Sequence, residues 1–371
     1  MKPLHYIKTF VVLFISCTLA TSCEKNTYTP PAPSPPAPPG YYDQINGAIV
    51  YNGNLIIEGN FTSLYGNAKY LAQWNGTSWQ SLGLGINGQA GLTIYNGNLI
   101  AAGYFDSAGG KPANGIAQWD GTSWSSLGYG GGIQSMLVYN GNLIVAGSFN
   151  AAGNVGANNI ASWNGSTWSQ FEGGITGTGA WVTSLNIYNG NLIASGQFTS
   201  AGGVQANNIA EWNGATWLAI GGKCNNQVSS TISYNGNLIA FGSFDTIGGI
   251  QSTFRPAQWN GTAWSSISSL TNGAAGAVVY NGNIVYTLPL TGSGFRSTNL
   301  YQWNGTSAST IATMVNTKQI PNPNPNYIEP RVLPLCMFNN NLIIGGWFTS
   351  VNGINSADNL VQWNGTSWSA F

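Results

Sequence analysis

The stretch LVYNGNLIVAGSFNAAGNVGANNIASWNGSTWSQFEG, from Leu137 to Gly173, recurs in worn form from Tyr51 to the last residue. Its first landmark is an aromatic followed by Asn-Gly or Asn-Asn, at Tyr51, Tyr95, Tyr139, Tyr188, Tyr234, Tyr280 and Phe338. Successive landmarks are 44, 44, 49, 46, 46 and 58 residues apart. A second landmark, Trp-Asn/Asp-Gly, falls at Trp74, Trp119, Trp163, Trp212, Trp259, Trp303 and Trp363. Both occur seven times, so the chain holds seven units, each too small to bury a face alone.

Within a unit the pattern reads as four strands. The first ends at the aromatic, as in Leu137-Val138-Tyr139, and the second follows at once, as in Asn98-Leu99-Ile100-Ala101. Asn-Gly between two β-rich runs specifies a tight hairpin, because both residues tolerate positive φ. The second strand leads to Gly-X-Phe at Phe61, Phe105, Phe149, Phe198, Phe244 and Phe348. A small-residue loop such as Ser200-Ala201-Gly202-Gly203 precedes a short third strand ending at the tryptophan. The fourth carries a second tryptophan: Trp79, Trp124, Trp168, Trp217, Trp264 or Trp368. The two tryptophans of a unit are five residues apart, placing them across one hairpin or as wedges against the next sheet. The first is present in every unit and the second in all but the sixth, so they read as packing residues; a repeated sugar platform requires rings that face solvent.

Four-stranded sheets have two faces to cover and an edge to protect, and radial stacking does both. The expected fold is therefore all-β, a seven-bladed β-propeller of four-stranded antiparallel blades over residues 41–371. The chain starts close to a first strand and stops after a fourth, with no clear spare strand for exchange between the ends.

The pattern YNGNLIVAGSF…NNIAxWNGxxW resembles the β-propeller repeats of bacterial secreted proteins, and distantly those of Kelch propellers and fungal cell-surface polarity markers. It departs from Kelch in the double glycine after the second strand, which only Gly345-Gly346 supplies. The resemblance implies a scaffold for binding and interaction, with variable loops on its faces.

Residues 1–22 have the shape of a secretory signal, with Lys2 and Lys8 before an apolar run. Leu19-Ala20-Thr21-Ser22-Cys23 resembles the lipobox of bacterial lipoproteins, which implies diacylation, as by palmitate, at Cys23. Glu24-Lys25 resembles the short export signals of surface lipoproteins in Bacteroidota-type bacteria. Residues 23–40 form the anchor and linker. Thr27 to Gly40 holds seven prolines and favours an extended, semi-rigid spacer.

Charged residues make up only 5% of the chain and the net charge is zero, with no basic patch to attract nucleic acid. The single histidine is His5, inside the signal. Beyond it no Ser-His-Asp triad or zinc motif can form, and no cofactor or metal is expected. A carbohydrate-active enzyme needs two carboxylates about 5–10 Å apart. The acids from residue 41 on are Asp43, Glu58, Asp106, Asp120, Glu172, Glu211, Asp245, Glu329 and Asp358, which do not converge in sequence. Glu58, on a second strand, is the least expected and is placed to point into a central channel. Cys224 and Cys336 lie in units four and seven, too far apart in a ring to pair, and are expected free.

Function is most legible where a unit breaks the rule. Unit six replaces Gly-X-Phe by Leu288-Pro289-Leu290 and the second tryptophan by Ala308. A long Pro-Asn segment, Asn316 to Arg331, follows it. Tyr327, Glu329 and Arg331 in that segment, and the unshared Trp181, are the candidate partner contacts. Asp106-Ser107-Ala108 and Asp245-Thr246-Ile247 resemble the short O-glycosylation motif of Bacteroidota, which makes Ser107 and Thr246 candidate acceptors. The expectation is a non-enzymatic lipoprotein of the bacterial outer membrane, facing the cell surface, with the periplasm-facing leaflet as the alternative. It binds another envelope protein or serves as a structural subunit of an outer-membrane assembly; a glycan-binding surface lipoprotein is the alternative.

Overall fold

A computed structural model describes residues 44–61, 68–251, 256–270, 276–288, 297–315, 332–354 and 359–371. The signal, Cys23, the linker and the Asn316–Arg331 segment with Tyr327, Glu329 and Arg331 lie outside them. The fold is all-β, with several four-stranded antiparallel sheets that resemble propeller blades. The described residues form six four-stranded sheets and one five-stranded sheet, besides small hairpins.

The first sheet shows how sequence becomes strand order. Ile45–Tyr51 pairs with Asn54–Gly59, which pairs with Leu71–Trp74, which pairs with Trp79–Gln80. The first turn is two residues, Asn52 at φ 48° and Gly53 at φ 78°. Both angles are positive, as a type I′ hairpin requires. Six later turns repeat this geometry, Asn339-Asn340 replacing Asn-Gly in the last.

The second strands are apolar without alternation because both their faces are covered. Leu55 and Ile57 pack with Phe338 and Ile343 of the last sheet, whereas Ile56 packs with Leu99 and Trp119 of the second. Leu143 and Val145 likewise face one neighbour, and Ile144 and Ala146 the other. Burying each such side chain contributes roughly 1.5–3 kcal/mol. The glycine of Gly-X-Phe has a steric cause. A Cβ on Gly59 would lie 1.9 Å from the Gln44 carbonyl oxygen, and one on Gly147 would lie 2.0 Å from that of Gly132.

Three repeated links join successive sheets. Trp124 Nε1 donates to the Leu82 carbonyl at 2.9 Å, Trp168 to Leu127 at 2.7 Å, Trp217 to Glu172 at 3.1 Å and Trp264 to Ile220 at 3.0 Å. At the opposite end, Tyr95 Oη donates to the Gly141 carbonyl, Tyr188 to Gly236 and Tyr234 to Gly282. The third link uses segments expected as plain loops. Ser107–Ala108 with Lys111–Pro112, and Ser200–Ala201 with Val204–Gln205, are two-residue hairpins. They pair in turn with chain entering from the preceding sheet, as in Ile86 with Ala108 and Ile175 with Ala201.

Unit six departs from four strands. Its last strand, Ala308–Val315, pairs with Ser297–Trp303 and also takes in Ser350–Val351 of the following unit, giving five. With the second tryptophan gone, the strand runs on through the position where other units stop.

Candidate functional site

The two ends of the sheets differ. One end carries the Asn-Gly hairpins and the Trp-Asn-Gly hairpins, and it is nearly uniform. In all seven Trp-Asn/Asp-Gly hairpins the Asn or Asp Oδ1 accepts from the backbone N–H groups two and three residues on, as Asn75 does from Thr77 and Ser78 at 2.9 Å each. Asp120 does the same work as the asparagines, and these hydrogen bonds hold its carboxyl well below the usual carboxylate range. The Asn-Gly-Thr/Ser triplets thus have a turn-forming role.

The opposite end collects what is not repeated. There Leu84 is 81% exposed, Tyr104 70% and Tyr129 47%. Leu84 borders a cavity of about 370 Å³ with Lys69, Tyr70, Asn87 and Ser107. Tyr104 borders a second, of about 320 Å³, which is also lined by Gln44, Asn46, Glu58, Gln89, Gln134 and Leu333.

Glu58 is the unusual residue of this second cavity. It is only 5% exposed. Burial pushes its carboxyl up to about 8, an effect partly opposed by a hydrogen bond with the Ala90 backbone. Among the described residues its Oε2 has no hydrogen-bond partner, and neither has Nε2 of Gln44, which lines the same cavity. An orphaned buried polar group costs on the order of 1–3 kcal/mol. Among the described lining residues Glu58 is the only ionisable acid, and no Lys or Arg lines the cavity. Equivalent positions in the other second strands hold Ala102, Ala146, Ser195, Phe241, Thr287 and Gly345. Phe241 is buried and fills its site, whereas Gly91, Ala102 and Gly103 line the cavity beside Glu58.

The other expected residues have separate places. Trp181 is half-buried at the start of Trp181–Tyr188, paired with Gln197, and lines neither cavity. Ser107 and Thr246 are half-buried; their backbone N–H groups donate to Asn87 and Asn225, as do those of Asp106 and Asp245. The two aspartates thus belong to one repeated bend. Glu211 accepts from Asn191. The Glu172 carbonyl receives Trp217. Among the described residues no group of three or more His, Cys, Asp or Glu is placed to hold a metal ion.

The repeated tryptophans pack on one another. Trp119 and Trp124 lie 5.5 Å apart between ring centroids, Trp163 and Trp168 5.2 Å, and Trp212 and Trp217 5.8 Å, mostly buried or half-buried. They form no exposed sugar platform. Cys224 and Cys336 are free thiols. Sequence reasoning singled out Glu58 but not Gln44 or Tyr104. The aromatic at X of Gly-X-Phe, shared only with Trp347, was the available signal for Tyr104.

No family model matches the chain, and no curated protein matches it. Among solved structures it is similar to the β-propeller domain of the Trilobed protease from Pyrococcus furiosus, described as having an open velcro topology. The identity is 12%, over 89% of this chain and 96% of that one, with a TM-score of 0.48. It is also similar to the Pyrococcus horikoshii acylaminoacyl peptidase in its orthorhombic crystal form, at 14% identity and a TM-score of 0.45. There it covers 89% of this chain but 52% of the other, about half the peptidase's length. These likenesses say nothing of activity.

Proposed function

We propose that residues 41–371 close as a seven-bladed β-propeller that acts as a non-enzymatic protein-binding or structural module of a bacterial envelope. Closure is supported by the apolar cluster that Ile45, Leu55 and Ile57 share with Phe338, Ile343 and Leu360. In this reading a lipid on Cys23 and the proline-rich spacer hold the propeller at the outer membrane, facing the cell surface, as in Bacteroidota-type lipoproteins. The partner is another envelope or outer-membrane protein.

The observation that carries the binding role is the contrast between the two ends of the sheets. One repeats the same turn seven times and exposes Val138, Ile187, Val279 and Met337 to only 36–43%. The other exposes Leu84, Tyr104 and Tyr129 to 47–81%, with Leu84 and Tyr104 each bordering a cavity. Large exposed apolar side chains grouped at one end mark an interaction surface. The test is purification of the native, membrane-anchored protein. The reading predicts a stoichiometric envelope protein that Leu84→Asp releases. A protein that purifies alone, or a partner indifferent to that change, contradicts it.

A further inference from the structure

We propose that the Glu58 cavity is a binding site for a small neutral saccharide, either one free sugar or the terminal unit of a glycan. The site shares Tyr104 with the protein-binding surface proposed above, but it does not depend on that reading.

Four observations support the assignment. The cavity holds two buried polar atoms without partners, Glu58 Oε2 and Gln44 Nε2. Buried polar groups are normally hydrogen-bonded, so two orphans on residues lining one cavity point to a ligand or water. At neutral pH the buried carboxyl keeps its proton, and both orphans are then donors. Hydroxyl and ring oxygens of a sugar accept such bonds and return O–H donors to the amides.

The second observation is the lining. Gln44, Asn46, Gln89 and Gln134 offer planar groups that donate and accept in fixed directions. None of the described lining residues is cationic, so none selects an anion. A lone carboxyl falls short of the six to eight oxygens that calcium takes.

Third, the rim is amphipathic. Tyr104 presents a 70% exposed ring, with Ile133 and Leu333 nearby in the lining. An aromatic beside apolar side chains suits the C–H face of a pyranose, while the floor serves its hydroxyls. Fourth, about 320 Å³ is at the small end of ligand pockets. That size fits one or two rings rather than a long chain segment.

The test titrates the full-length protein, by calorimetry and saturation-transfer NMR, with glucose, mannose, galactose and N-acetylglucosamine. Each is offered as the monosaccharide and as a linear trimer; methylammonium and calcium chlorides are the charged probes. At least one neutral probe is expected to bind saturably. Tyr104→Ala is expected to raise its Kd about tenfold or more. Glu58→Leu abolishes binding, whereas Glu58→Gln, which keeps an N–H donor in place, holds Kd within about threefold of wild type. Thermal melting establishes that all three variants fold. The proposal is overturned if no neutral probe binds, if binding ignores Tyr104→Ala and Glu58→Leu, or if a charged probe alone occupies the site. None of these outcomes alters the partner experiment.

Discussion

Gly47 leaves the room that the Glu58 side chain occupies: a Cβ on Gly47 would lie 3.0 Å from both Cγ and Oε1 of Glu58. The two residues are cross-strand partners beside a register irregularity in the first strand. Gly47→Ala is therefore expected to cost about 1–3 kcal/mol by crowding the carboxyl. In a Glu58→Ala background the same change should fall within about 0.5 kcal/mol of neutral. Denaturant unfolding of the four proteins in this cycle checks it. An equal cost in both backgrounds would show that the glutamate is not what Gly47 accommodates.

The buried carboxyl also imposes a direction on stability against pH. Unfolded, Glu58 titrates near the ordinary glutamate value of 4.5; folded, it titrates near 8. Between those values the folded state holds a proton that the unfolded state has released. The stability contributed is thus complete below about pH 4.5, falls as pH rises towards 8, and then levels off. At about 1.4 kcal/mol per unit, the span is on the order of 4–5 kcal/mol. Glu58→Gln should remove that slope, leaving a variant more stable than wild type at pH 8. Unfolding curves at half-unit intervals measure the difference, and parallel pH profiles would refute it.

The inter-sheet tryptophan link yields a paired prediction. Trp124 Nε1 donates to Leu82, whereas the buried Nε1 of Trp368 has no partner among the described residues. Trp→Phe removes similar volume at both positions but orphans a carbonyl only at the first. Trp124→Phe should therefore cost about 1–3 kcal/mol more than Trp368→Phe. Denaturation midpoints of the two variants decide it.

Neither thiol should react readily in the folded protein. Burial pushes Cys224 up to about 11 and Cys336 up to about 12, so little thiolate exists at pH 8. Iodoacetamide at pH 8 should leave both unmodified until denaturant is added, as intact-mass measurements would reveal. Rapid labelling of the native protein would contradict this burial.

Much of the fold was legible because the repeat names its own turns. Asn-Gly marks both hairpins of a unit, and the unbroken apolar run after it marks a strand covered on both faces. The Gly-X-Phe glycine was visible, but not its reason, a backbone approach from the Gln44 or Gly132 carbonyl that only three dimensions reveal. The small hairpins at Ser107 and Ser200 were hidden because two-residue strands leave no periodicity. Their pairing partners, Ile86 and Ile175, belong to the preceding unit. For the same reason the fifth strand of sheet six was invisible, since Ser350 and Val351 lie beyond the long segment that follows Val315. Glu58 stood out as an acid among aliphatics. Gln44 and Tyr104 did not, because an amide and an aromatic become informative only when an unpaired carboxyl is found beside them.

The central claim is that binding belongs to the varied end of the sheets and not to the repeated one. Site-specific photo-crosslinking in the native membrane tests it most directly, with the probe amino acid at Leu84 or Tyr104 on one end and at Thr77 or Ser166 on the other. The account predicts a discrete crosslinked envelope protein from Leu84 or Tyr104 and none from Thr77 or Ser166. Crosslinks from Thr77 or Ser166 with none from Leu84 or Tyr104 would contradict it.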